Sequence, residues 1–303
     1  MLYFDRALDS NDLQFSFSSI QYATKLTNID LSNTGLFHLQ GIQDAPSLTS
    51  LDLSRNDFKG EMPLQVFNIP TLQQLFIGSN SFQSSLPSEV GHLKQLKLLS
   101  CSSSNLIGSI PSSVGELTNL VHLNLAENDL SGTIPSEIGR LESLAFLDLS
   151  GQALKGQLPS FSALRDLRRL DLSRNYFSGT VPDEFLGSVN PIFFDYLDLS
   201  DNLLTGQVPS ILSHFETVYL QENQFSAIDA ELCDKSRGGV FKQFGCDAIL
   251  CPSVSSSNGF GVDIGIHVVP QFISSNIFVF LTSHEHYRLC RAHTMLLDVK
   301  IQK

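Results

Sequence analysis

The sequence predicts an α/β repeat solenoid, and three observations support this prediction. The 24-residue segment LVHLNLAENDLSGTIPSEIGRLES, at positions 120–143, recurs with small changes both before and after these positions. Apolar residues occupy the same two places in each copy, and an Asn and a Pro follow at regular distances. One copy cannot bury its own apolar face, so a fixed period of this kind indicates stacked repeats that share one core.

Each copy begins with a short strand that is predicted to be buried on one side. Leu123 and Leu125 are two residues apart, so both point to one side of an extended segment, while His122 and Asn124 point to the other. The first inward column is Ile29, Leu51, Leu75, Leu99, Leu123, Leu147, Leu170, Leu197 and Val218. The second inward column is Leu31, Leu53, Ile77, Cys101, Leu125, Leu149, Leu172, Leu199 and Leu220.

A polar residue follows the strand where the chain must turn. At this turn some backbone N–H and C=O groups have no neighbouring strand to bond with. The amide of Asn128 can accept from and donate to such groups. The predicted turn ladder is Asn56, Asn80, Asn128, Asn175, Asn202 and Asn223, with Asn11, Thr34, Ser104 and Gln152 in the other copies.

The second half of each copy is predicted to return along the outer side. Gly132 permits a tight turn, and Pro135 restricts φ at the entry to SEIGRL, which favours a short helical turn. The proline column is Pro63, Pro87, Pro111, Pro135, Pro159, Pro182 and Pro209.

The composite pattern LxxLxLxxNxLxGxIPxxxGxLxx resembles the plant-type leucine-rich repeat over about residues 3–225. This class includes receptor-like proteins, receptor-kinase ectodomains and polygalacturonase inhibitors. The resemblance implies a right-handed superhelix with a parallel β-sheet on its concave face and short 3-10, helical or irregular segments on its convex side. It also implies that exposed residues of the sheet recognise a partner.

The period divides the chain into four segments. We expect a partial or degenerate first repeat at 1–25, a solenoid of about nine repeats at 26–225, a Cys-containing cap at 226–252 and a poorly ordered tail at 253–303. The insertion SVNPIFF near Asn190 is expected to join the core, with a local binding feature as the alternative. The N-terminus has neither a signal peptide nor the paired-cysteine cap of the family, which favours N-terminal truncation over a degraded copy.

The cysteines and the tail histidines suggest two further features. Cys233, Cys246 and Cys251 follow the last repeat and predict a disulfide-stapled cap, hence an oxidising compartment, since their spacing fits no usual zinc knuckle. In contrast, Cys101 should be a buried thiol. If the tail were helical, His286, Cys290 and His293 would share a face and could hold zinc in a hydrolase, but an incidental His-rich tail is favoured.

Composition and motifs argue against catalysis and against nucleic acid. The chain has 19 basic and 31 acidic residues, a net charge of −12, and phosphate-rich partners require the opposite balance. No nucleophile elbow, phosphate loop or kinase signature occurs, so we expect no enzyme, cofactor or metal. An Asp recurs at the outward strand position. We interpret this row as structural, because neighbouring Ser and Arg side chains can solvate its carboxylates. The row is Asp30, Asp52, Asn124, Asp148, Asp171 and Asp198.

The remaining function is recognition on the concave face. Aromatic and Arg side chains are common interface anchors, and they vary between the copies at outward positions. The predicted binding stripe is Phe76, Lys97, His122, Phe146, Arg168, Arg169, Arg174, Tyr196 and Tyr219. We expect a protein or peptide ligand, with a co-receptor as a candidate second partner, at the cell surface or outside the cell. A secreted inhibitor of a cell-wall-degrading hydrolase and an intracellular scaffold or truncated product are the alternatives. Any membrane attachment would need a segment outside this chain.

Overall fold

The computed structural model describes residues 2–3, 15–17, 20–227, 279–280 and 288–289. Its main element is a parallel sheet of ten short strands that follow one another in chain order, here called the concave sheet. The predicted solenoid is therefore confirmed. The strands are Leu2–Tyr3, Asn28–Asp30, Ser50–Asp52, Gln74–Phe76, Leu98–Ser100, His122–Asn124, Phe146–Asp148, Arg169–Asp171, Tyr196–Asp198 and Val218–Tyr219.

The core lies directly behind this sheet. Every residue of both predicted inward columns is buried, with at most 2% of its surface exposed. The columns belong to one continuous apolar cluster that extends from Ile20 to Phe225. Each repeat thus buries its apolar face against its neighbours, as the fixed period requires.

Behind the strands, the Asn residues bond the turns of adjacent repeats. Oδ1 of Asn128 accepts from the N–H groups of Ser104 and Leu106, both at 2.9 Å. Its Nδ2 donates to the carbonyl oxygens of Cys101 and Leu125, at 2.9 and 2.8 Å. The other five Asn residues likewise donate to carbonyls of their own and the preceding repeat.

A second parallel sheet, which the sequence analysis did not predict, follows the turns. Its six strands are Ile107–Gly108, Asp129–Gly132, Ala153–Gly156, Tyr176–Thr180, Leu203–Gln207 and Gln224–Ala227. A Gly with positive φ recurs in these strands; at Gly132 φ is 82°, a conformation that costs other residues free energy. Parallel pairs also join Phe15–Ser16 to Leu39–Gln40 and Lys59–Gly60 to Ser81–Phe82, and an antiparallel pair joins Val279–Phe280 to Arg288–Leu289.

The outer side carries 3-10 helices, and the described residues contain no α-helix. Pro135 precedes one of these helices with φ at −65°, as the proline column predicted. The helices are Ile20–Tyr22, Ile42–Asp44, Leu64–Asn68, Ser88–His92, Ser112–Glu116, Ser136–Arg140 and Ser210–His214. Between Arg140 and Ser210 the outer side has none, in the stretch where the repeats depart from 24 residues.

Candidate ligand-binding face

Each three-residue strand of the concave sheet turns two side chains outward. In a strand of three residues the central side chain points to the core and the flanking ones point away from it. Parallel pairing in register stacks these into two columns. The first outward column is Asn28, Ser50, Gln74, Leu98, His122, Phe146, Arg169 and Tyr196. The second outward column is Asp30, Asp52, Phe76, Ser100, Asn124, Asp148, Asp171, Asp198 and Tyr219.

Five residues of the predicted stripe form one stacked row, here called the stacked ladder: His122, Phe146, Arg169, Tyr196 and Tyr219. The His122 and Phe146 rings are nearly parallel, with centroids 4.0 Å apart. The Arg169 guanidinium carbon lies 5.4 Å from the Phe146 centroid and 4.0 Å from that of Tyr196. The Tyr196 and Tyr219 centroids are 5.4 Å apart. All five side chains are half-buried, so part of each faces solvent.

Arg169 is held by the two rings on either side of it more than by hydrogen bonds. Its Nε atom is buried and has no hydrogen-bond partner within the described residues. One terminal nitrogen lies 3.8 Å from Oδ2 of Asp171, and 41% of the side chain is exposed. Cation–π attraction from Phe146 and Tyr196 positions the guanidinium while leaving its outer N–H donors accessible.

Burial changes the titration of the groups around this row. Burial lowers the pKa of His122, although the charge of Asp148 acts in the opposite direction. The lowered pKa favours a neutral imidazole. Burial, and then the nearby Asp198 carboxylate, raises the pKa of Tyr196, whose hydroxyl donates to Oδ2 of Asp198 at 3.0 Å. The ladder therefore presents neutral aromatic groups around one cation.

The carboxylates of the second outward column each accept locally through Oδ1, and Asp198 also accepts from Tyr196 through Oδ2. Oδ1 of Asp148 accepts from the N–H of Ser150 at 3.1 Å and from its hydroxyl at 2.7 Å. Asp171 makes the same two bonds to Ser173. Burial, reinforced by the charges of Asp148 and Asp198, raises the pKa of Asp171. Three carboxylates thus lie side by side, with Arg169 as the cation next to Asp171.

Lys97, Arg168 and Arg174 of the predicted stripe lie at the borders of the face rather than in its columns. Lys97 is exposed just before a strand, and Arg168 occupies the equivalent place. The guanidinium of Arg168 lies 5.8 Å from the ring centroid of Phe193. Phe76 is in the second outward column, two strands before Asn124.

Arg174 lies in the turn after its strand and forms an ion pair with Glu127, two repeats away. Gly151 occupies the same place in the intervening repeat, with φ at 66°. A Cβ there would lie 2.9 Å from Cδ of Glu127. Because Gly151 has no side chain, there is room for this ion pair between the two repeats. The ion pair neutralises the charge of Arg174.

The insertion is divided between the core and the surface. Phe194 is buried, and its ring centroid lies 4.6 Å from that of Phe215, as expected of a segment that joins the core. Ile192 and Phe193, however, are 81% and 56% exposed. Because Phe193 contacts Arg168, this apolar tip adjoins the first outward column at the edge where the strands begin.

No group of three His, Cys, Asp or Glu side chains in the described part of the chain could hold a metal ion. Burial raises the pKa of Cys101 to about 12, so its thiol stays protonated and unreactive. The described residues form no helix of the length and apolar character that crossing a membrane requires. Cys233, Cys246, Cys251 and the tail histidines lie outside the described residues.

The comparisons with known proteins agree with this geometry. The family model described as Leucine Rich Repeat matches residues 119–141, 166–188 and 194–215, and a second Leucine Rich repeat model matches residues 44–61. A search of the curated proteins gave no match.

Solved structures match over most of the solenoid. A TDR receptor is 33% identical, with a TM-score of 0.65, over 70% of this chain and 37% of that one. The plant peptide hormone receptor RGFR1, in complex with RGF2, is 28% identical, with a TM-score of 0.64, over 73% of this chain and 36% of that one. A plant ice-binding protein is 25% identical, with a TM-score of 0.60, over 69% of this chain and 68% of that one.

Fold and face together define a leucine-rich-repeat solenoid with an open concave sheet. The chain spans little more than a third of the length of the two receptors. Its repeats match the leucine-rich-repeat family models and resemble those of plant receptors, which supports a plant-type leucine-rich-repeat protein.

Proposed function

We propose that this chain is a non-enzymatic recognition module that binds a protein or peptide along its concave sheet. The stacked ladder is the observation that supports this most strongly. It places aromatic and Arg side chains, the usual interface anchors, on an open face where the core has no need of them. Phe76, Lys97, Arg168 and Arg174 would extend the contact beyond the ladder.

The likeness to plant receptors supports a receptor-like role for this module. One of those receptors was solved in complex with RGF2, and the present chain shares its repeat architecture. We accordingly propose an extracellular or cell-surface location, with the signal passed on by a partner such as a co-receptor.

A secreted inhibitor of a cell-wall-degrading hydrolase is the second candidate. Asp148, Asp171 and Asp198 make the face acidic, which would complement a basic enzyme surface. The basic residues near the face reduce its negative charge less than their number suggests, since the charge of Arg174 is already neutralised by Glu127. Inhibition of a basic polygalacturonase by stoichiometric protein would favour this candidate over a receptor module.

Selection from a random dodecapeptide display library, with the full chain immobilised, tests the main proposal. Peptides enriched on the chain should bind at least about tenfold more weakly to the Tyr196→Ala variant, because this change removes a central anchor of the ladder. Tyr176→Ala is the matched control, since Tyr176 is exposed on the second sheet.

Melting curves of both variants establish that each is folded before affinities are compared. Equal loss of binding in Tyr176→Ala, or no loss in Tyr196→Ala, would contradict recognition by the concave sheet. Failure to enrich any peptide would argue against peptide recognition altogether.

A further inference from the structure

The outward columns of the face carry more carboxylates than cations. In the two outward columns from Leu98 to Tyr219 there are three carboxylates, those of Asp148, Asp171 and Asp198, against the single guanidinium of Arg169. At the border of the face, Arg174 is neutralised by Glu127, Arg168 turns towards Phe193, and Lys97 is exposed before the strand that begins at Leu98. The two outward columns are therefore acidic, in a chain whose net charge is also negative.

In the part of the chain that the structure describes, Oδ2 of Asp148 is free of protein partners, and Oδ2 of Asp171 has only the ion pair with Arg169 at 3.8 Å. Oδ1 of Asp148 and of Asp171 is taken by the following Ser, but within the described residues Oδ2 of neither accepts a hydrogen bond. Oδ2 of Asp198, by contrast, accepts from Tyr196. Asp148 and Asp171 are partners in register, so strand spacing puts their backbones about 4.8 Å apart.

The stacked ladder runs beside this pair. Phe146 and Arg169 precede Asp148 and Asp171 by two residues on the same strands, which separates the two rows by about 6.6 Å. A Lys or Arg side chain suits such a place, because its stem can pack on aromatic surface while its charged head meets carboxylates. Arg169 already shows this chemistry within the chain, between two rings and against Asp171.

The shape of the face favours an extended occupant. The ladder crosses five neighbouring strands, a path of about 19 Å, which about six residues of extended chain would cover. We propose that the ligand of this face is an extended peptide segment rich in Lys or Arg, with one basic side chain bound between Asp148 and Asp171. This inference rests on the proposed function and adds the charge class of the ligand and its place on the sheet.

The library selection described above also tests this proposal, with two double variants. Asp148→Asn with Asp171→Asn removes both charges, and the natural Asn124 shows that this column accepts Asn, since its Oδ1 takes the N–H of Ala126 at 3.0 Å. Asp30→Asn with Asp52→Asn is the matched control, because these carboxylates also accept from the N–H groups two residues on, those of Ser32 and Ser54, but lie beside Asn28 and Ser50.

Peptides enriched on the unmodified chain should contain Lys and Arg well above their frequency in the library. Their affinity for the Asp148/Asp171 variant should fall about tenfold or more, and their affinity for the Asp30/Asp52 variant should stay within about twofold. Enriched peptides without basic residues, or with undiminished affinity for the Asp148/Asp171 variant, would overturn this inference. If those peptides still lost affinity for Tyr196→Ala, the proposed function would stand. No enrichment at all would contradict both this inference and the proposed function.

Discussion

At the residue scale, Asn128 illustrates why a polar column runs through an apolar solenoid. The turn after each strand leaves N–H and C=O groups buried between repeats, where an unpaired group is costly. One amide satisfies four of them in two adjacent repeats. Ser104 lacks the amide; its hydroxyl donates to Ser102 and Ile77 instead, at 3.1 and 3.3 Å.

We expect Asn128→Ala to lower the free energy of unfolding by about 3 kcal/mol, because it leaves several buried backbone groups without partners. Urea denaturation followed by circular dichroism measures this. Asn119→Ala is the control, since the Asn119 amide also bonds a carbonyl, that of Lys94, but at an exposed site. Equal stability of the two variants would mean that the buried amide is not what holds the turns together.

The recurrent Asp residues are structural, as the sequence analysis interpreted them, and they also shape the candidate site. The sequence analysis assigned the row to local bonding, and Oδ1 of Asp148 does bond Ser150. The second oxygen of the same carboxylate is left for solvent or a ligand. Whether a side chain is fully engaged depends on each atom's neighbours, which a repeat pattern does not specify.

At the element scale, the 3-10 helices stack on one another along the outer side, and a small residue sets how closely they approach. A Cβ added at Gly115 would meet the backbone carbonyl of Glu137 and would lie 2.5 Å from the Cβ of that residue. At the equivalent Gly139 the nearest atom, the carbonyl oxygen of Ser160, is 4.0 Å away. The difference arises because the repeat after Gly139 has no outer helix.

Gly115→Ala should therefore destabilise the protein by about 2 kcal/mol, since the overlap is with backbone that cannot rotate away. Gly139→Ala should be neutral or slightly stabilising, because Ala restricts the unfolded chain more than Gly does. Thermal unfolding of the two variants gives the comparison. A larger loss at Gly139 would show that the outer layer is packed differently.

At the scale of the whole molecule, one apolar core runs the length of the solenoid, so a charge inside it affects many repeats. Leu125 is fully buried at the centre of the array, whereas Leu203 is exposed on the second sheet. Leu125→Asp should cost more than about 4 kcal/mol and lower the melting temperature sharply. If Leu125→Asp and Leu203→Asp melted alike, the assignment of the inward columns would be wrong.

The inward columns, the turn ladder and the proline positions could be read from the sequence because each depends on local geometry. Alternation along a strand sends Leu123 and Leu125 to one side whatever surrounds them, and a fixed period repeats that choice. The second sheet has a weaker local signal. Its short segments around residues such as Gly132 become strands only by pairing with the next repeat.

The sequence by itself therefore determined the solenoid, its core and the set of residues that face outward. Tertiary structure decided which of those residues meet. His122, Phe146, Arg169 and Tyr196 are separated by 24, 23 and 27 positions, and they stack because the extra residues are placed outside the sheet while the strands stay in register. It also directed Arg168 to Phe193 and Arg174 to Glu127. Contacts across repeats depend on how whole repeats pack, whereas burial within one repeat depends on residues only two positions apart.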